Sequence, residues 1–181
     1  MNDISKFDDN ISEKDIAAIL EERTNKIYER LSYCVKQTGL FDIAKLAYSF
    51  DFEIVEQSGL PELLNGMITC DANGKQMAIN NNMSKEYKRY SIAYLLSAYL
   101  LYYQGQDFFS FQHLEADEDL DASSMARLLL IPESIFKRLI PDSLETKWSS
   151  EAFEVPYDVM EQRIKEIRKI RERVLVKPNN N

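Results

Sequence analysis

The sequence predicts an α+β domain, mostly helical, with a small antiparallel sheet of about three strands and a central apolar helix. Three observations carry that prediction. Glycine and proline number only five each in 181 residues, too few to punctuate a strand-rich fold. Between Phe52 and Ile79 the helical period gives way to short apolar runs around Asn73-Gly74, a dipeptide that tolerates positive φ and marks a hairpin. The stretch Lys85–Tyr103, KEYKRYSIAYLLSAYLLYY, has no charge after Arg89, and a helix without a solvated face belongs in the middle of a fold.

The elements follow in order. Met1–Asn10 is polar and reads, with the next residue, as a loose N-terminus over 1–11; residues 12–173 read as one domain and 174–181 as a loose tail. Ser12 can cap a helix with Glu13 and Asp15 in its first turn, and Ile16, Leu20, Ile27, Leu31 and Cys34 recur at helical spacing until Gly39. A short helix is predicted near Phe41–Phe50. Strands are predicted at Phe52–Val55, Met67–Cys70 and Lys75–Ile79, with a turn at Pro61–Leu64. Ser84 caps the central helix, and Gln104-Gly105 stops it. An aromatic loop with Phe108, Phe109 and Phe111 leads into the acidic run EADEDLD and then into SSMARLLLIP, a helix halted by Pro132. Short helices are predicted at Glu133–Ile140 and Ser143–Ala152, and an amphipathic one at Tyr157–Arg173, where Val159, Ile164, Ile167 and Ile170 mark the apolar side.

Composition removes several function classes. The chain holds 22 basic and 30 acidic residues, net −8, a balance that disfavours direct nucleic-acid binding and suits a basic protein partner. Its two cysteines, Cys34 and Cys70, form no CxxC pair, so a reducing, cytoplasmic setting is expected and both read as small core residues. Met1–Asn10 lacks the basic start and apolar run of a signal peptide, and Ile92–Tyr103 is too short to span a bilayer. The chain has one histidine, His113, which reads as a loop residue beside acidic neighbours.

The order of helices, hairpin sheet, central helix, acidic loop and a helix ending in LLLIP resembles the ImmA/IrrE-like metallopeptidase family, whose fold is zincin-like. AINNNMSKEYKRYSIAYLLSAYLLYY looks like the family's strand and active-site helix. DASSMARLLLIP looks like the next helix, which supplies a carboxylate ligand, and FEVPYDVMEQRI like the C-terminal segment that carries an arginine. The family's HExxH motif binds zinc through two histidines one turn apart, and its glutamate activates water. Laid on that motif, the first histidine position is Tyr94, the general-base position Leu95, the second histidine position Ala98 and the third ligand Asp121.

This set carries no zinc chemistry. Alanine has no donor atom, leucine accepts no proton, and a neutral tyrosine is a poor ligand because its pKa is about 10. One aspartate does not make a three-ligand catalytic site. No metal or other cofactor is therefore expected, and Tyr94, Leu95 and Ala98 should fill the space of the lost metal and water. The correspondence also predicts a hydrogen bond between Tyr94 and Asp121.

The remaining candidates are surfaces for a partner. Glu115, Asp117, Glu118 and Asp119, with Asp121, put five carboxylates into seven residues, but without EF-hand spacing or a glycine to turn the run around an ion. Phe108, Phe109 and Phe111 read as a loop folded over the former groove, with exposure to a partner as the alternative. Tyr87 and Tyr90 read as the rim members of a tyrosine-rich helix whose other rings are core. Arg163, Arg168, Lys169, Arg171 and Arg173 give the last helix a basic side, diluted by Glu161, Glu166 and Glu172.

These residues are compatible with three functions. The first is a catalytically inactive peptidase-like protein that binds a protein partner. The resemblance implies a regulator or inhibitor of phage or mobile-element origin, acting on a repressor or a nuclease-type complex, with an anti-CRISPR role included. The second is an active metallopeptidase with non-standard ligands that cleaves a repressor. The third is a DNA-binding regulator that uses the C-terminal helix.

Overall fold

The computed structural model of the chain describes residues 13–103, 108–112, 120–139 and 145–175. The α+β class holds: a small sheet packs on a group of helices, with an apolar helix between them. The expected loose N-terminus, 1–11, and the acidic residues 115–119 with His113 lie outside the described residues; of the expected loose tail, 174–181, Val174 and Leu175 belong to the last helix and 176–181 lie outside.

Helix α1 spans Glu13–Arg30 and continues into a 3-10 turn at Ser32–Cys34. Leu20 and Cys34 are buried on its inner side. Helix α2, Ile43–Tyr48, starts at Asp42, whose side chain accepts from the Lys45 amide at 3.2 Å. Strand β1 is Phe52–Gln57, β2 Leu64–Asp71 and β3 Gly74–Asn80.

The expected hairpin joins β2 to β3, with its turn one residue earlier than the Asn-Gly signal implies. Asp71 pairs with Gly74, so Ala72 and Asn73 form the loop. Gly74 takes the positive φ, 133°, and the Asp71 carboxylate accepts from the Asn73 amide at 2.7 Å.

The sheet differs from expectation in two ways. It has four strands rather than about three, in the order β1-β3-β2-β4, and it is mixed rather than antiparallel. Strand β3 returns from the hairpin into the gap between β1 and β2, pairing parallel with β1 and antiparallel with β2. The crossing from β1 to β2 is tied down by the asparagines after β3. Buried Asn80 donates to the Leu64 and Pro61 carbonyls at 2.9 and 3.3 Å, and the Asn81 amide donates to the Gln57 carbonyl. The fourth strand, β4, is Phe108–Gln112, the segment expected as an aromatic loop; it pairs antiparallel with β2, Ile68 opposite Phe109.

Helix α3 spans Lys85–Ala98, and Ser84 caps it by accepting from the Tyr87 amide at 3.3 Å. It does not run on as an α-helix to Tyr103. Residues Tyr99–Tyr103 form a π turn. Helix α4 is Leu120–Leu130, α5 Glu133–Leu139, α6 Thr146–Phe153 and α7 Tyr157–Leu175.

Helix α3 has the sheet on one side and α4 on the other, and α1 and α7 pack against α4. Every residue from Arg89 to Tyr99 is buried. At about 25 cal/mol per Å² of apolar surface removed from water, such a helix is held by burial rather than by propensity. Arg89, the last charge before the uncharged run, is itself only 7% exposed.

Candidate functional site

Of the four positions laid on the zinc motif, Tyr94, Leu95 and Ala98 lie on α3 and Asp121 on α4, the helix packed against it. Tyr94 is 4% exposed, and Leu95 and Ala98 are fully buried. Leu95 does not face a groove. A Cβ placed on Gly66 of β2 would meet the Leu95 Cδ1 atom at 3.0 Å and the Ala78 carbonyl oxygen at 2.8 Å. The general-base position is thus occupied by a side chain wedged onto the sheet, where glycine lets the helix come close.

Asp121, in the first turn of α4, is half-buried, with Ala122 and Ser123 fully buried after it. Its Oδ2 accepts a hydrogen bond from the Tyr102 hydroxyl at 2.8 Å. The sequence pointed to Tyr94 for this role; the bond described comes from Tyr102, in the π turn. The signal for it was present, since Tyr94, Ala98 and Tyr102 follow each other at intervals of four. The Tyr94 ring lies 6.4 Å from that of Tyr90, centre to centre.

A zinc ion does not fit these residues. Two ligand positions and the base position carry a phenol, a methyl and an isobutyl group, all enclosed, and the remaining carboxylate is hydrogen-bonded to Tyr102. Among the described residues no three His, Cys, Asp or Glu side chains converge as a metal cluster.

The surface candidates separate. Tyr90 is 2% exposed and leaves the set of rim residues; it belongs to the core. Its four-residue spacing to Tyr94 places it on the enclosed side of α3. Tyr87 is half-buried, and its hydroxyl donates to Asp158 of α7 at 3.0 Å. Phe108, Phe109 and Phe111 lie on β4 at the sheet's edge. Glu115, Asp117, Glu118 and Asp119 lie outside the described residues.

The basic side of α7 is smaller than expected. Arg163 is 3% exposed, donating to the Ile131 carbonyl at 3.2 Å and to Glu166 at 3.0 Å. Arg127 of α4 donates to the other oxygen of Glu166 at 2.8 Å. The triad fastens α7 to α4 and withdraws Arg163 from any nucleic-acid contact. Lys165 is exposed but pairs with Glu161 at 2.9 Å.

Another buried arginine, Arg89, was not foreseen. Arg89 donates to the Phe41 carbonyl at 3.2 Å and lies 3.6 Å from Glu154, while its Nε and Nη2 atoms are buried without a partner. Burial lowers its pKa, opposed by the charge of Glu154. Glu154 sits in the left-handed region at φ 53° in the turn between α6 and α7, and also receives Lys36 at 3.1 Å. The Lys36 hydrogen bond holds its carboxyl below the usual range. Nearby, Tyr28 stacks on Phe41 with ring centres 3.8 Å apart and donates to the Leu129 carbonyl at 2.9 Å. A groove between α1, α4 and α5, lined by Glu21, Thr24, Asn25 and Lys137, shares no residue with the α3–α4 positions.

No family model matches the chain, and no curated protein matches it either.

Proposed function

We propose that this protein is a catalytically inactive relative of the ImmA/IrrE-like peptidases that acts by binding a partner protein in the cytoplasm. The partner class implied by the resemblance is a repressor or a nuclease-type complex, which would make the protein a regulator or inhibitor from a phage or mobile element. The observation that supports this most is the chemistry of the helix pair. The positions that would hold zinc and its water are filled by Tyr94, Leu95 and Ala98, and the one carboxylate is engaged by a phenol. A site closed by well-packed side chains leaves binding, not turnover, as the use of the fold.

Recognition is assigned to charge. The run from Glu115 to Asp121 concentrates acid in the sequence leading into α4, and such a run attracts a basic surface over a Debye length of about 10 Å at 0.1 M salt. The DNA-binding alternative needs the basic side of α7, from which Arg163 is withdrawn by burial.

The experiment is affinity capture from the native host, followed by affinity measurements on the captured protein. Neutralising Asp117, Glu118 and Asp119 to asparagine or glutamine should weaken binding at least tenfold at low salt, with the loss shrinking as salt rises. Affinity unchanged at every ionic strength refutes the acidic run as the contact, and tight duplex-DNA binding with a steep salt slope refutes the proposal in favour of the DNA reading.

A further inference from the structure

We infer that the Tyr102–Asp121 hydrogen bond takes over, in this chain, the joint between α3 and α4 that a metal ion would hold, and that Tyr102 thereby keeps Asp121 from any cation. The inference rests on the proposal that these helices form a former zinc site. It names the residue that closes that site, which the motif alone does not.

Two observations carry it. The first is the bond itself. Asp121 is the one ionisable ligand-type side chain among the four motif positions, and it stands half-buried ahead of two enclosed residues. A carboxylate drawn into such a place requires a donor, and the Tyr102 hydroxyl supplies one at 2.8 Å. The second is the π turn. Each four-residue step along an α-helix overshoots a full turn by about 40°, so two steps from Tyr94 would carry a side chain about 80° round the axis. A π turn uses more residues per revolution and rotates the later ones back. The turn at Tyr99–Tyr103 therefore returns Tyr102 toward the line of Tyr94 and Ala98. Ala98, one turn earlier, ends in a methyl group and offers Asp121 no competing donor.

The test separates the clasp from the ancestry. Tyr94→His with Ala98→His places two imidazoles one turn apart, leaving Asp121 as third ligand and Leu95 unchanged, so no activity is involved. The probe is Co²⁺, read by its visible absorption and by calorimetry. The double variant should bind Co²⁺. Adding Tyr102→Phe should tighten binding on the order of tenfold or more, because Asp121 no longer gives up a charge-assisted hydrogen bond to coordinate. Adding Asp121→Asn instead should weaken it at least tenfold. If Asp121→Asn weakens binding but Tyr102→Phe leaves it unchanged, the clasp is wrong and the former site stands.

If the folded histidine variants bind no Co²⁺, the former-site reading falls, and the native chain decides the clasp alone. There Tyr102→Phe and Asp121→Asn should each speed amide hydrogen exchange in residues 121–125, by similar factors. Unchanged exchange in Tyr102→Phe overturns the clasp, and this arm also serves if the histidine variants do not fold.

Discussion

Replacing Glu166 by glutamine should unfasten the C-terminal helix. Glu166 is 30% exposed in its side chain, while its partners Arg127 and Arg163 are 10% and 4% exposed. Each carboxylate oxygen serves one guanidinium, at 2.8 and 3.0 Å. Glutamine keeps one acceptor and turns an amide donor toward the other arginine, leaving a buried positive charge uncompensated. Breaking a fully buried pair from one side costs about 3–5 kcal/mol. Water reaching the exposed third of Glu166 reduces this to about 2–3 kcal/mol. At ~2–4 °C per kcal/mol for a domain of this size, the melting temperature should fall by roughly 4–12 °C. Urea unfolding followed by far-ultraviolet circular dichroism measures the change. Glu161→Gln, which removes only the exposed pair with Lys165, serves as control and should stay within about 0.5 kcal/mol of the parent. If Glu166→Gln also stays within that margin, the triad does not hold α7 to α4 and the reasoning is refuted.

Other expectations follow from the same packing. Leu95→Ala should cost about 2–4 kcal/mol in urea unfolding, since it empties a fully enclosed site on the sheet. Gly66→Ala should destabilise by about 1–3 kcal/mol, because its Cβ would meet both the Ala78 carbonyl and the Leu95 tip. The two changes together should cost less than their sum, and strict additivity would mean that the side chains do not touch. Glu154→Gln should cost about 1 kcal/mol at neutral pH, its 40% exposure screening the pair with Arg89. The folded-state pKa of Glu154 is depressed, so its contribution is present above the ordinary value of 4.5 and is lost as pH falls through the lowered one. Parent and variant should therefore converge in acid; a gap that persists below both values contradicts the ionic role.

Where the fold was legible in the sequence, the signal was local. Ser84 before Lys85 gave the start of α3, the uncharged run after Arg89 gave its burial, and Pro132 gave the end of α4. The sheet was legible as hairpin but not as topology. Nothing within Phe52–Gln57 records that β3, rather than β2, will lie beside it, because that choice is settled by the tight Ala72-Asn73 loop and by Asn80 binding the crossing chain. Strand β4 escaped because FFSFQ lacks clean alternation and its partner lies 40 residues earlier. The buried arginines escaped for a related reason. A guanidinium enters the core only where carbonyls and carboxylates from distant segments meet it, as Phe41 and Glu154 meet Arg89, and Ile131 and Glu166 meet Arg163. At the candidate site the sequence named Asp121, which the structure shows bonded to a tyrosine in the turn after α3. The sequence named Tyr94 as the donor and not Tyr102, whose bond to Asp121 is described, since a π turn leaves no mark in apolar periodicity.

If the proposed function holds, the α3–α4 face carries no zinc chemistry. Metal analysis of protein purified without chelator tests it directly. With a single carboxylate as ligand, the chain should retain less than roughly 0.1 zinc per molecule. Near-stoichiometric zinc that disappears in Asp121→Asn would contradict the claim.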